Sequence, residues 1–135
     1  MSAANLEAGA QLHWSRTFTP EDVELFGRVS GDRGVHHVQP DAQGRLMVQG
    51  LLTASLPTKL GGDQDYLARE MVFEFLRPVF TGDTIECVVT VTRVEKQPGR
   101  TYLEFDITCT NQAGKEVLRS STKGVILDRE PVAGQ

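Results

Sequence analysis

Apolar and polar residues alternate along most of the second half of the chain. In Thr84 to Glu95, Ile85, Cys87, Val89 and Val91 fall on one face. In Tyr102 to Thr110, Leu103, Phe105, Ile107 and Cys109 oppose Glu104, Asp106, Thr108 and Thr110. A period of two is the signature of a half-buried strand. Val72 to Val79 and Glu116 to about Leu127 read as two further strands. Thr81-Gly82-Asp83, Gln97-Pro98-Gly99-Arg100 and Gln112-Ala113-Gly114-Lys115 carry the residues of tight turns between them. The second half is therefore expected to be an antiparallel meander.

The first half mixes periods. Gln11 to Phe18 reads as a strand. Thr19-Pro20-Glu21-Asp22 is a helix start, with a capping hydroxyl, a proline at the first helical position and two acids in the first turn. Val23, Phe26 and Val29 give the short helix one apolar face, and Gly31 ends it. Gly31 to Gly44 reads as an irregular loop with room for a short strand. Leu51 to Leu60 is the most apolar helix candidate, with Leu52, Leu56 and Leu60 four apart. Pro57 lies inside it, where a proline costs a hydrogen bond and kinks or ends the helix. A half-buried sheet must cover one face, and the apolar helix is the natural cover. The expected class is α+β, in the arrangement of a hot-dog fold: an antiparallel sheet wrapped around a central apolar helix.

The chain has 135 residues, enough for one domain with one core, expected over residues 10–128 with loose ends at 1–9 and 129–135. A net charge of −4 with scattered basic residues argues against a nucleic-acid partner. No run approaches the roughly 18 apolar residues of a membrane span, and the first ten residues lack the regions of a signal peptide. The expected compartment is the cytoplasm. Cys87 and Cys109 sit in strand-like segments and read as reduced sheet residues.

The chemistry concentrates in Ser30-Gly31-Asp32-Arg33-Gly34-Val35-His36-His37, one carboxylate and two imidazoles within a few residues. An ionised Asp and a His titrating near neutrality are a minimal kit for moving protons between water and carbon. Adjacent residues on an extended chain point opposite ways, so only one of the two histidines is expected to face Asp32. Gly50, opening the apolar helix, offers backbone N–H groups to an oxygen gaining negative charge. Each has a plainer alternative: Asp32 as a turn former, the histidines as structural, Gly50 as a packing glycine, Ser55 as a hydroxyl bonded to its own helix. Trp14, Tyr66 and Phe80 read as core or interface residues.

In these residues the chain resembles the MaoC-like dehydratases, which include the (R)-specific enoyl-CoA hydratases. The resemblance runs from about Phe18 to Leu127. It is carried by Phe18-Thr19, Asp22-Val23 and Phe26, by Ser30-Gly31-Asp32 with His37, by Gly50-Leu51-Leu52 with Ala54-Ser55-Leu56, and by Pro78-Val79 with Gly82-Asp83. The family pattern Ser-Gly-Asp-x-Asn-Pro-(aliphatic)-His has Gly34, Val35 and His36 in place of its Asn, Pro and aliphatic residue. Its His before the helix glycine is Gln49.

The resemblance implies a hydro-lyase acting on an acyl-CoA or acyl carrier protein thioester. Asp32 would take a proton from water and His37 would deliver one to the α-carbon. Gly50 would hold the thioester oxygen, helped by the helix dipole, with Ser55, Gln49, Leu51 and His36 near the substrate. No metal or organic cofactor is expected. A homodimer or higher homo-oligomer is expected, formed by pairing of sheet edges. The departures keep two rivals open, a hot-dog acyl-CoA thioesterase and a non-catalytic acyl-thioester binding module.

Overall fold

The computed structural model describes residues 6–129. One five-stranded antiparallel sheet dominates, in the order β1-β3-β4-β5-β2. Its strands are β1 (Gln11–Thr17), β2 (Tyr66–Phe75), β3 (Thr84–Gln97), β4 (Arg100–Thr110) and β5 (Glu116–Leu127). The meander β3-β4-β5 falls where the alternation puts it. The first strand of the second half does not: β2 spans Tyr66–Phe75 and not Val72 to Val79. Its ladder to β5 runs from Tyr66 to Phe75, and Pro78 beyond it has no N–H to offer a neighbour.

Helix α1 (Pro20–Ser30) forms as its cap signals require. The Thr19 hydroxyl accepts from the Asp22 N–H at 3.2 Å, and the Asp22 carboxylate accepts from the Thr19 N–H at 3.0 Å. Partial burial pushes the Asp22 carboxyl up, but these bonds and the Arg16 guanidinium outweigh that and hold it below its ordinary value. The helix closes at Gly31, whose φ of 79° lets its N–H reach back to the Gly27 carbonyl.

The apolar stretch is not one helix. It breaks into α3 (Gly50–Thr53), a 3₁₀ turn (Leu56–Thr58) and α4 (Lys59–Gln64). Pro57 stands at the start of the 3₁₀ turn, where its missing N–H is tolerated, so the expected bend becomes a change of helix type. These pieces lie against the sheet. Leu56 and Leu60 join Ile85, Val89, Phe105, Ile107 and Leu118 in one core. The Trp14 indole N–H ties β1 to the Leu56 carbonyl at 2.9 Å, and the Tyr66 hydroxyl and Thr122 Oγ1 pair at 3.0 Å.

Cys87 and Cys109 are free, fully buried and directly opposite each other across β3 and β4. The Cys109 sulfur beside it, together with burial, pushes the Cys87 thiol well up, so Cys87 stays protonated. The loose N-terminal end expected over residues 1–9 is corrected in part. Leu6 is buried in the core, and the Gly9 N–H bonds the Val91 carbonyl at 2.8 Å. The rest of that expectation, residues 1–5, and residues 130–135 of the C-terminal one lie outside the described residues.

Candidate active site

Asp32 is placed by the exit from α1. Ser30 Oγ donates to the Phe26 carbonyl at 2.7 Å and accepts from the Asp32 N–H at 3.0 Å. With Gly31 in the left-handed region, the chain reverses and sets the Asp32 side chain at a cleft, about half exposed. Ser-Gly-Asp is thus a helix terminator as well as a chemical motif. The part played by the Ser30 hydroxyl was legible in sequence only as a small polar residue beside a glycine.

The histidines do not lie on extended chain. Val35–Val38 forms a one-turn helix, α2. Neighbours on a helix diverge by about a quarter turn and not by a half turn, so the two rings lie side by side, 3.9 Å between centroids. They still take different places: His36 is exposed and His37 is buried. The two departures at Gly34 and His36 fit each other. A Cβ at position 34 would stand 2.9 Å from His36 Cε1, so the glycine makes room for the imidazole.

His37 is held by its back. Its Nδ1 lies 2.6 Å from the Met47 carbonyl oxygen. That oxygen can only accept, so Nδ1 carries the hydrogen and Nε2 is left for the site. Nε2 lies 3.6 Å from Asp32 Oδ2. This is too long for a direct hydrogen bond, but one water can touch both atoms at ~2.8 Å each. Sequence reasoning missed the Met47 carbonyl because a main-chain acceptor leaves no trace in residue type.

Asp32 and His37 line a cleft of about 380 Å³ together with Val23, Gly27, Leu46 and Gln49. Gln49 is almost wholly buried. Its Nε2 donates to the Val23 carbonyl at 2.9 Å and to the Asp32 carbonyl at 3.3 Å. Gly50 follows it at the start of α3, is exposed, and is not among the residues that line this cleft. Among the described residues its N–H donates no hydrogen bond, which leaves that group free for an oxygen. The expected help from a helix dipole is corrected: α3 has four residues, one turn, and the macrodipole grows with aligned peptides. A packing reason for the glycine is also present, since a Cβ there would lie 3.1 Å from the Phe75 ring.

The remaining candidates stand apart. Ser55, between α3 and the 3₁₀ turn, donates from Oγ to the Leu52 carbonyl, 2.6 Å, and lines a different cavity across α1, about 620 Å³ with Trp14, Phe18 and Leu52. The structure does not bring Ser55 to the carboxylate–imidazole pair. The Leu51 side chain is exposed and lines neither cavity. Trp14 is part-buried, Tyr66 is in the core, and Phe80 is covered by the Arg45 guanidinium at 4.0 Å. Among the described residues no three His, Cys, Asp or Glu side chains cluster as metal ligands would.

An antiparallel sheet around a broken apolar helix, with a carboxylate–imidazole pair at the exit of α1, defines a hot-dog protein of α+β class. The chain belongs to the MaoC-like domain family, whose profile matches residues 3–113. It is 30% identical over 125 residues to the (R)-specific enoyl-CoA hydratase of Rhodospirillum rubrum, covering 84% of this chain and 83% of that one. It is 34% identical over 107 residues to the (R)-specific enoyl-CoA hydratase of Aeromonas caviae, covering 71% and 78%. The solved (R)-hydratase from A. caviae involved in PHA biosynthesis superposes with a TM-score of 0.81 at 27% identity, over 93% of this chain and 100% of that one.

Proposed function

We propose that this protein is an enoyl-thioester hydratase, adding water across the α,β double bond of an acyl-CoA to give the (R)-3-hydroxyacyl thioester, and running in reverse as a dehydratase. The observation that carries this is the 3.6 Å gap between His37 Nε2 and Asp32 Oδ2, with the far nitrogen of the imidazole anchored on a carbonyl. A water seated on both groups is activated by the Asp32 carboxylate. Its oxygen bonds the β-carbon as its proton passes to Asp32. Protonated His37 delivers the Nε2 proton to the α-carbon. Transfer of the proton from Asp32 to His37 then restores the pair. The Gly50 N–H is the proposed donor to the thioester oxygen while it carries enolate charge.

The direct test uses a 2-enoyl-CoA and follows the conjugated absorbance beside a free-thiol assay. Absorbance should fall with no thiol released, and turnover should survive exhaustive chelation. Thiol release would mean attack at the carbonyl carbon, the thioesterase reaction. Binding without either change would mean a carrier or regulatory module. The same assay with an enoyl acyl carrier protein decides between the two thioester carriers.

We also propose a homodimer through the free edge of β2. That strand leaves Leu67, Val72 and Phe75 about half exposed, whereas the exposed positions of the other edge strand, β1, include Gln11, His13 and Ser15. An unpaired edge with apolar side chains invites a partner strand. Light scattering at micromolar concentration should give twice the chain mass; a stable monomer would refute the pairing. No helix among the described residues is long and apolar enough to cross a membrane. The two free thiols suit a reducing compartment, and the cytoplasm is the proposed one.

A further inference from the structure

We propose that Gln49 is a positioning residue that locks the main chain of Asp32 onto α1, and not a substrate-binding group. The inference rests on Asp32 as the base.

The orientation of the Gln49 amide is dictated by its surroundings. Both neighbours of Nε2, the carbonyls of Val23 and Asp32, can only accept. The NH₂ group must therefore face them, and Oε1 must face away. There it is buried and, among the described residues, finds no partner. A buried acceptor left unpaired disfavours this arrangement, so the double donation at the other end is what holds the side chain. Gly27 completes the clamp. A Cβ on Gly27 would meet Arg33 Cγ at 3.4 Å, the Asp32 carbonyl at 3.5 Å and Gln49 Nε2 at 3.7 Å. These are ordinary contact distances: the Asp32 loop and the Gln49 amide pack directly over the bare Gly27 face of α1. Asp32 is then gripped from both peptide groups, its N–H by Ser30 Oγ and its carbonyl by Gln49. Among the described residues its carboxylate, half exposed, has no other fixed anchor than the 3.6 Å approach to His37. With 1% of its surface exposed, Gln49 has little left to offer a substrate directly.

The test replaces Gln49 by Met, which keeps the length and removes both donors. In Gln49→Met, kcat should fall about 10–100-fold through misplacement of the base, while KM stays within about twofold because no substrate contact is lost. Gln49→Glu sets a carboxylate against two carbonyl oxygens. Its kcat relative to wild type should recover as pH falls, because a protonated carboxyl can donate again to one of them. In the wild-type protein the Gln49 side-chain amide protons should exchange slowly with solvent. Wild-type kcat in Gln49→Met, or fast-exchanging Gln49 amide protons, would overturn the proposal; if Gln49→Met does not fold, the exchange rates and the Gln49→Glu pH profile decide. Asp32→Asn, measured in parallel, separates the two levels. An active Asp32→Asn removes the base and the strut together, whereas an inactive Asp32→Asn beside a fully active Gln49→Met removes only the strut.

Discussion

Asp32→Asn and His37→Ala should each lower the hydration rate by about 10²–10⁴-fold, the usual loss when a general acid or base is removed. The two variants differ in what else they disturb. Asn at position 32 keeps the shape of a half-exposed side chain and leaves both main-chain anchors of the loop in place. Its melting temperature should stay close to that of the wild type. Ala at position 37 removes a buried ring and leaves the Met47 carbonyl without its donor, so stability should fall along with activity. His36→Ala loses only an exposed ring tilted against His37, and its loss should stay within about tenfold. Steady-state kinetics on the enoyl absorbance, with thermal unfolding of each variant, checks all three. Equal, severe losses at both histidines would undo the choice of His37 as the acid.

Gly124→Ala should cost stability at or beyond the top of the ~1–3 kcal/mol usual for overpacking. A Cβ at Gly124 would stand 2.1 Å from the Leu67 carbonyl oxygen and 2.8 Å from the Tyr66 ring and hydroxyl. Neither obstacle can step aside cheaply. Leu67 O is main chain in β2, just before the register shift between Ala68 and Glu70. Tyr66 is wedged edge-on against Phe105, 5.0 Å between centroids, with its hydroxyl on Thr122. The β2–β5 pairing must open to relieve the clash. Because Phe75, at the far end of β2, packs against Gly50, a loosened β2 also frees the start of α3. The urea midpoint should drop by about 1 M or more, given slopes of roughly 1–3 kcal/mol per molar. A midpoint unchanged from wild type would show that the strand pair yields more easily than this geometry allows.

Much of the fold was legible because its signals are local. The meander needs only the alternation of Ile85 to Val91 and Leu103 to Cys109, since a period of two leaves one face to bury wherever the strand goes. Helix α1 was equally plain. Thr19 and Asp22 bond each other and Gly31 bonds Gly27, all within four residues, so the signals for its two ends are written locally. The pair Asp32 and His37 was also readable, from residue types five positions apart in a familiar pattern.

What the sequence left open depended on partners far along the chain or on main-chain atoms. The limits of β2 follow from its ladder to β5, about fifty residues away, and not from the apolar run around Val72. The apolar stretch becomes three short pieces around Pro57, with Trp14 of β1 taking the Leu56 carbonyl, a partner more than forty residues away. The two histidine rings sit side by side because Gly34 clears space for His36, a compensation invisible until α2 is seen to be a turn of helix. Met47 anchors His37 through a carbonyl that every residue possesses, and Gln49 reaches Asp32 only after α1 and the loop have docked. Residue types and their periods determined what chemistry this protein carries and on which elements. The tertiary structure alone decided how that chemistry is aimed, because aiming is done by hydrogen bonds to backbone groups whose positions exist only once the chain has folded.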